Sequence, residues 1–163
     1  MAIDTKTGAA KFLGFPLRNT VWSWGGQHPD GRVFLFVWDG DGDGCDPPDV
    51  DPPYMRRVDS GRYEIPLQWP REYYERLSKN PSLGWHERSE HIAAIQAGAP
   101  GVALFCKAVD RRRQFTVDPR GVRSKIAHVA VGYLWRILAE TMRDGAGGHT
   151  FGTVERIYDL PQK

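Results

Sequence analysis

Cysteine is scarce in this chain, with only Cys45 and Cys106 in 163 residues. One sits in an acidic stretch and the other in an apolar run, which suggests neither a disulfide framework nor a CxxC metal knuckle and predicts two free thiols. No apolar run approaches the roughly 20 residues a membrane-spanning helix needs. The opening MAIDTKTGAAKF lacks the hydrophobic region of a signal peptide. Together these absences predict a cytoplasmic protein with no membrane partner. Also missing are HExxH, GxSxG, a P-loop and a dinucleotide-binding glycine fingerprint. The histidines, His28, His86, His91, His128 and His149, are scattered. His86 and His91 are five apart and do not share a helix face as an i, i+4 metal pair would. Spacing alone nominates no catalytic residue, metal site or cofactor.

What is present is a chain 40% hydrophobic with six tryptophans, the composition of a packed globule, at a length most simply read as one domain over 1–163. The formal charge of +2 is uneven: residues 39–59 carry a net −5 and residues 101–163 a net +5. A basic half beside an acidic loop suits a polyanion-binding face that leaves the loop outside, and it suits an ordinary mixed surface as well. The acidic insertion, residues 39–53, begins like a calcium loop with Asp39, Asp41, Asp43 and Gly44. The twelfth position, where such a loop needs a bidentate Glu, is Val50; no helix precedes the segment, and Pro47 and Pro48 interrupt it. A solvated acidic loop is the expectation.

Along the chain, FLGFPL (12–17) predicts an edge strand or strand end broken by Pro16. VWSWGG (21–26) alternates aromatic residues at a strand's period, QHPDGR is a turn, and VFLFVW (33–38) is a buried strand, so 21–38 predicts a hairpin. DSGR is a turn before the strand RYEIPL (62–67). PREYYERLSKN (70–80) and, within HERSEHIAAIQAG, residues 86–97 predict helices, the second with Ile92 and Ile95 inward and Gly98 as its stop. GVALFCKAVD (101–110) predicts a strand. IAHVAVGYLWRILAETM (126–142) fits either an amphipathic helix or alternating strand; the Gly-rich RDGAGGHTFG and the strand-like TVERIYDL after it favour a hairpin.

Two features bear on chemistry. Trp22, Trp24 and Trp38 fall in one predicted hairpin, Trp85 stands at a helix entry, and Asn19, Thr20 and Ser23 supply polar groups beside them. Such tryptophans are core as often as not, but aromatic walls with a few polar groups also fit a pocket that stacks a flat ring and reads its edge. DRRRQFTVDPRGVRSK (110–125) predicts a projecting loop whose Arg111, Arg112, Arg113, Arg120, Arg123 and Lys125 could lie along phosphates, or simply be solvated. In HERSEH, the cluster Glu87, Glu90 and His91 reads first as a solvated helix face and second as an acid–base group.

The stretches FLGFPLRNTVWSWGGQHPDGRVFLFVWD and GWHERSEHIAAIQAGAPGVALFCKAVD resemble the N-terminal modules of certain HNH-type restriction endonucleases. There, an Asn-Thr-x-Trp-Ser-Trp-Gly motif precedes a V-F-L-x-V-W strand, and a later Glu-Arg-x-x-His-Ile helix leads to a Gly-to-Cys strand. Those modules are similar to PUA-superfamily domains, relatives of EVE, YTH and SRA domains. The resemblance covers residues 12–39 and 84–110, and neither the His-His pair nor the Cys knuckles of an HNH nuclease appear. It implies an α+β fold, a single compact PUA-like β-barrel with short flanking helices. It implies a reader of a modified base, such as methylated or hydroxymethylated cytosine, without a nuclease of its own. Nucleic acid, DNA rather than RNA, would be the partner, alone or beside a separate nuclease. Asn19, Thr20, Trp22, Ser23 and Trp24 would form the core motif, with Trp38, Trp85, Glu87, Arg88 and His91 in support. A small enzyme acting on a nucleotide-like substrate through Glu87, Glu90 and His91 is one alternative. A protein-interaction module of a defence or toxin system is the other.

Overall fold

The computed structural model describes residues 2–19, 23–38, 56–59, 61–68, 71, 83–108, 126–132, 134–145 and 148–157. The acidic insertion at 39–53, the predicted helix at 70–80 apart from Arg71, the basic loop at 110–125, and Thr20 and Trp22 lie outside the described residues.

Among the described residues the fold is mixed α and β, dominated by one nine-stranded sheet. In chain order the elements are β1 (Ala2–Ile3), α1 (Lys6–Leu13), β2 (Gly25–Gln27), β3 (Val33–Trp38), β4 (Arg56–Asp59), β5 (Arg62–Gln68), α2 (Leu83–Gln96), β6 (Gly101–Ala108), β7 (Ile126–Ala130), β8 (Leu134–Asp144) and β9 (Thr150–Ile157). β3 runs parallel to β6, Val33 opposite Gly101 through Trp38 opposite Cys106, and antiparallel to β2. On its other side β6 meets first β8 and then β7, two segments separated at residues 131–133. β8 continues into β9, then β5 and β4.

The run VFLFVW forms the centre because both of its faces are covered, as is usual for parallel pairing. Val33, Leu35 and Val37 pack with Ile65 and Leu67 of β5 and with Ile92 and Ile95 of α2. Phe34 and Phe36 pack on the opposite side with Ala9 and Ala10 of α1, Phe15 and Trp24. Phe15 stacks on Phe34 with ring centroids 4.6 Å apart.

α1 corrects the expectation of a strand end near FLGFPL. Thr5 caps the helix by accepting from the Gly8 amide at 3.0 Å, and Gly14 ends it in the left-handed conformation. Ala9 and Ala10 supply the small buried face. The helix thus occupies residues that a reading of the apolar run alone assigns to a strand. Among the described residues of the predicted hairpin at 21–38, Gly25–Gln27 forms the strand that pairs with β3, and Trp24 precedes it with its carbonyl accepting from the Phe36 amide at 2.9 Å. The 126–157 region is strand throughout its described elements, as the Gly-rich turn suggested, with Leu134 opposite Ile157 and Asp144 opposite Thr150.

Among the described residues the sheet does not close into the expected barrel: β3 pairs with β2 and β6, β5 with β4 and β9, and no ladder there joins β3 to β5. A side chain bridges them instead. Arg88 of α2, 1% exposed, donates from Nε to the Leu67 carbonyl on β5, from one terminal nitrogen to the Trp24 carbonyl, and from the other to the Phe36 carbonyl on β3 at 2.8 Å. A guanidinium suits this position because its planar fork serves several acceptors at once, which an ammonium cannot do in fixed directions.

Candidate functional site

The same turn of α2 that sends Arg88 into the seam carries Glu87 and His91, four residues apart and therefore neighbours on one face. Both are buried, at 3% and 4% exposure. This corrects the expectation of a solvated helix face; only Glu90 of that trio is exposed, its carboxylate 3.4 Å from Arg18.

Opposite them lies the end of the segment leading into β2. Ser23 is fully buried; its hydroxyl donates to Glu87 Oε2 at 3.2 Å and accepts from the Asn19 amide at 2.9 Å. The Ser23 amide returns a bond to the Asn19 carbonyl at 3.1 Å, so residues 19 and 23 are tied across a short loop. Lys6 of α1 donates to the Ser23 carbonyl at 2.7 Å and holds its ammonium 4.4 Å from the centre of the Trp24 ring. Arg18, 60% exposed, brings Nε to 3.7 Å from Glu87 Oε2, the same oxygen that Ser23 serves.

Burial sets the electrostatics. Desolvation pushes the Glu87 carboxyl above its ordinary value, against the opposing pull of the Ser23 hydrogen bond and of Arg18 and Arg88; Glu90 adds to the rise. His91 is pushed down to about 4, by burial first and then by the positive charges of Arg88 and Arg18, so its imidazole is neutral at pH 7. His91 Nδ1 is buried and has no hydrogen-bond partner among the described residues. It lies against Gly25, where any side chain would meet both that nitrogen and the Phe34 carbonyl. Gly26 is closed in the same way by Pro16 and Phe15. These two glycines therefore admit the protein's own backbone and rings.

Of the residues singled out in the sequence, the fold brings together Asn19, Ser23, Trp24, Glu87, Arg88 and His91. Trp24 is 5% exposed and belongs to the core beneath α1. Trp85 is half-buried against that core, with the Arg71 guanidinium 5.6 Å from its ring centre. Trp38 ends β3 opposite Cys106, and Cys106 is buried and not in a disulfide. Thr20, Trp22, Arg111, Arg112, Arg113, Arg120, Arg123 and Lys125 lie outside the described residues. Sequence reasoning missed Lys6 and Arg18, whose roles depend on α1 and on the path of the chain after it. Among the described residues no three His, Cys, Asp or Glu side chains gather as a metal site, and no helix is long and apolar enough to cross a membrane.

The arrangement can offer hydrogen-bond acceptors and a neutral imidazole to a polar edge. It does not prepare Ser23 as a nucleophile, because that hydroxyl is fully buried and occupied on both sides. Comparison of the chain with protein-family models, curated proteins and solved structures gave no match.

Proposed function

We propose that this chain is a nucleic-acid-binding module of PUA-like type that reads a modified base, and that the Asn19–Ser23–Glu87–His91 cluster is the polar part of its reading site. The observation that carries the reading is the meeting of two motifs far apart in sequence. The Asn-Thr-x-Trp-Ser-Trp-Gly stretch and the Glu-Arg-x-x-His-Ile helix join through the Ser23–Glu87 hydrogen bond at 3.2 Å, beside a buried His91 nitrogen with no partner among the described residues. A fold rarely leaves such groups buried and incompletely satisfied without a use for them. The tryptophans of the motif would stack the base and the basic 111–125 loop would follow phosphates. The acid–base alternative is weakened by Glu90, which faces solvent and Arg18 instead of joining Glu87 and His91 in the interior.

The test is a binding screen of oligonucleotides, DNA and RNA, modified and unmodified, at two salt concentrations, with product analysis on the same samples. Saturable binding that prefers a modified strand and leaves it intact is the expected result. Turnover without a partner would favour the enzyme, and no binding at all would favour a protein-interaction module.

A further inference from the structure

Ser23 and Arg18 both approach Oε2 of Glu87, and the other carboxylate oxygen has no hydrogen-bond partner among the described residues. We infer that this open oxygen reads the base, accepting from an exocyclic amino group set beside a ring acceptor, as cytosine and adenine present it. The inference rests on the base-reading function above and narrows it to one edge chemistry.

With one oxygen already engaged, Glu87 has room for a single N–H and not for the pair of donors that guanine would present side by side to a whole carboxylate. Acceptance from the cytosine amino group is an established use of Glu and Asp in base readout. Thymine would offer only its ring N–H, set between two carbonyl oxygens whose negative ends would face the carboxylate. The contact survives protonation of Glu87 on the engaged oxygen, because the other is then a carbonyl oxygen that still accepts from the amino group. The neutral His91 one turn along α2 adds a polar contact without a charge to compete for the carboxylate. Ser23 is then a positioning residue, fixing which oxygen is free. Arg18, exposed and in reach of Glu87, marks the side from which a ligand would arrive.

5-Methylcytosine and thymine carry the same methyl group and differ at the edge in question. Affinities of the full chain for two oligonucleotides differing only in that base, measured by fluorescence anisotropy, should differ at least tenfold in favour of 5-methylcytosine. In Glu87→Gln the ratio should fall to within about twofold, because an amide can turn either its donor or its acceptor to the base. Ser23→Ala should fall between, since the carboxylate is freed to rotate. Melting curves establish that each variant is folded; should Glu87→Gln not fold, the wild-type ratio and Ser23→Ala decide. Equal wild-type affinities for the two oligonucleotides, or an undiminished ratio in a folded Glu87→Gln, would overturn the inference and leave base reading standing. Failure to bind either one also overturns it, and the broader screen then says whether base reading falls too.

Discussion

Two buried carboxylates behave differently in this molecule. Glu64 on β5 is held by Arg143 of β8 through both oxygens, at 2.8 and 3.1 Å, in a fork that spans the intervening β9, and Arg143 in turn lies 4.9 Å from the centre of the Phe151 ring. Glu87 is more deeply buried, yet it keeps one hydroxyl and one looser guanidinium on a single oxygen. Glu64 is matched to its neighbours, as a strut is. Glu87 carries hydrogen-bonding capacity that the described fold does not use, at a cost in desolvation. That contrast is what separates the strand-bracing pair from the candidate site.

The comparison breaks most severely at Arg88, which sits beside Glu87 in sequence but spends its donors on carbonyls. Arg88→Ala would take the guanidinium donor from three buried carbonyls, of which Trp24 keeps the Phe36 amide at 2.9 Å, and each acceptor left unpaired costs about 1–3 kcal/mol. The variant should therefore lose several kcal/mol in urea unfolding or fail to fold. If Arg88 served chiefly to neutralise Glu87, the double variant Arg88→Ala/Glu87→Gln would recover most of that loss; the seam account predicts little recovery. Next is Trp24, which closes the core below Ser23. Trp24→Ala should cost about 3–5 kcal/mol. A Trp24→Ala protein of unchanged melting temperature and lost base preference would instead put that ring in the wall of the pocket.

His91 sharpens the contrast through pH. Its folded value of about 4 lies below the ordinary 6.5, so the unfolded chain takes up a proton that the folded one refuses. Stability from this source is fully present above pH 6.5 and is lost as pH falls toward 4, by about 3 kcal/mol in total. His91→Gln should flatten that fall. An unchanged pH profile would mean that His91 is solvated and not part of a dry site. The smallest effect is expected at the strut. Arg143 is half-exposed and its pair with Glu64 is screened, so Arg143→Met should lower the melting temperature least of these variants, with no change in ligand preference.

Much of this arrangement was legible in the residues. The apolar run VFLFVW, the stop at Gly98 (φ +117°) and the strand patterns on either side of the Gly-rich stretch each act locally, and β3, α2 and the paired β8 and β9 came out as those patterns predicted. α1 was legible too, in Thr5 and Gly14, but the apolar run 12–17, which overlaps its end, suggested a strand. The burial of Glu87 and His91 was not legible, because it depends on where β2 and β3 pass across α2. A polar helix face reads as solvated until its neighbour is known. Likewise a Gly-Gly pair such as Gly25–Gly26 permits close approach of a ligand to the backbone, and only the packing shows β3, Phe15 and Pro16 filling that space.

The account turns on Glu87 being held for a ligand and not for the fold. The most direct measurement is the unfolding free energy of Glu87→Gln against wild type at pH 7.5 and again near pH 5. A carboxyl raised above its unfolded value by burial costs stability when ionised, and the cost fades as pH falls through its folded value toward the ordinary 4.5. The account predicts that Glu87→Gln is at least as stable as wild type at pH 7.5, with the gap closing on acidification. A substantial loss of stability at pH 7.5, of the kind expected from breaking a fully engaged carboxylate such as Glu64, would show that Glu87 is a strut as well and would contradict the claim.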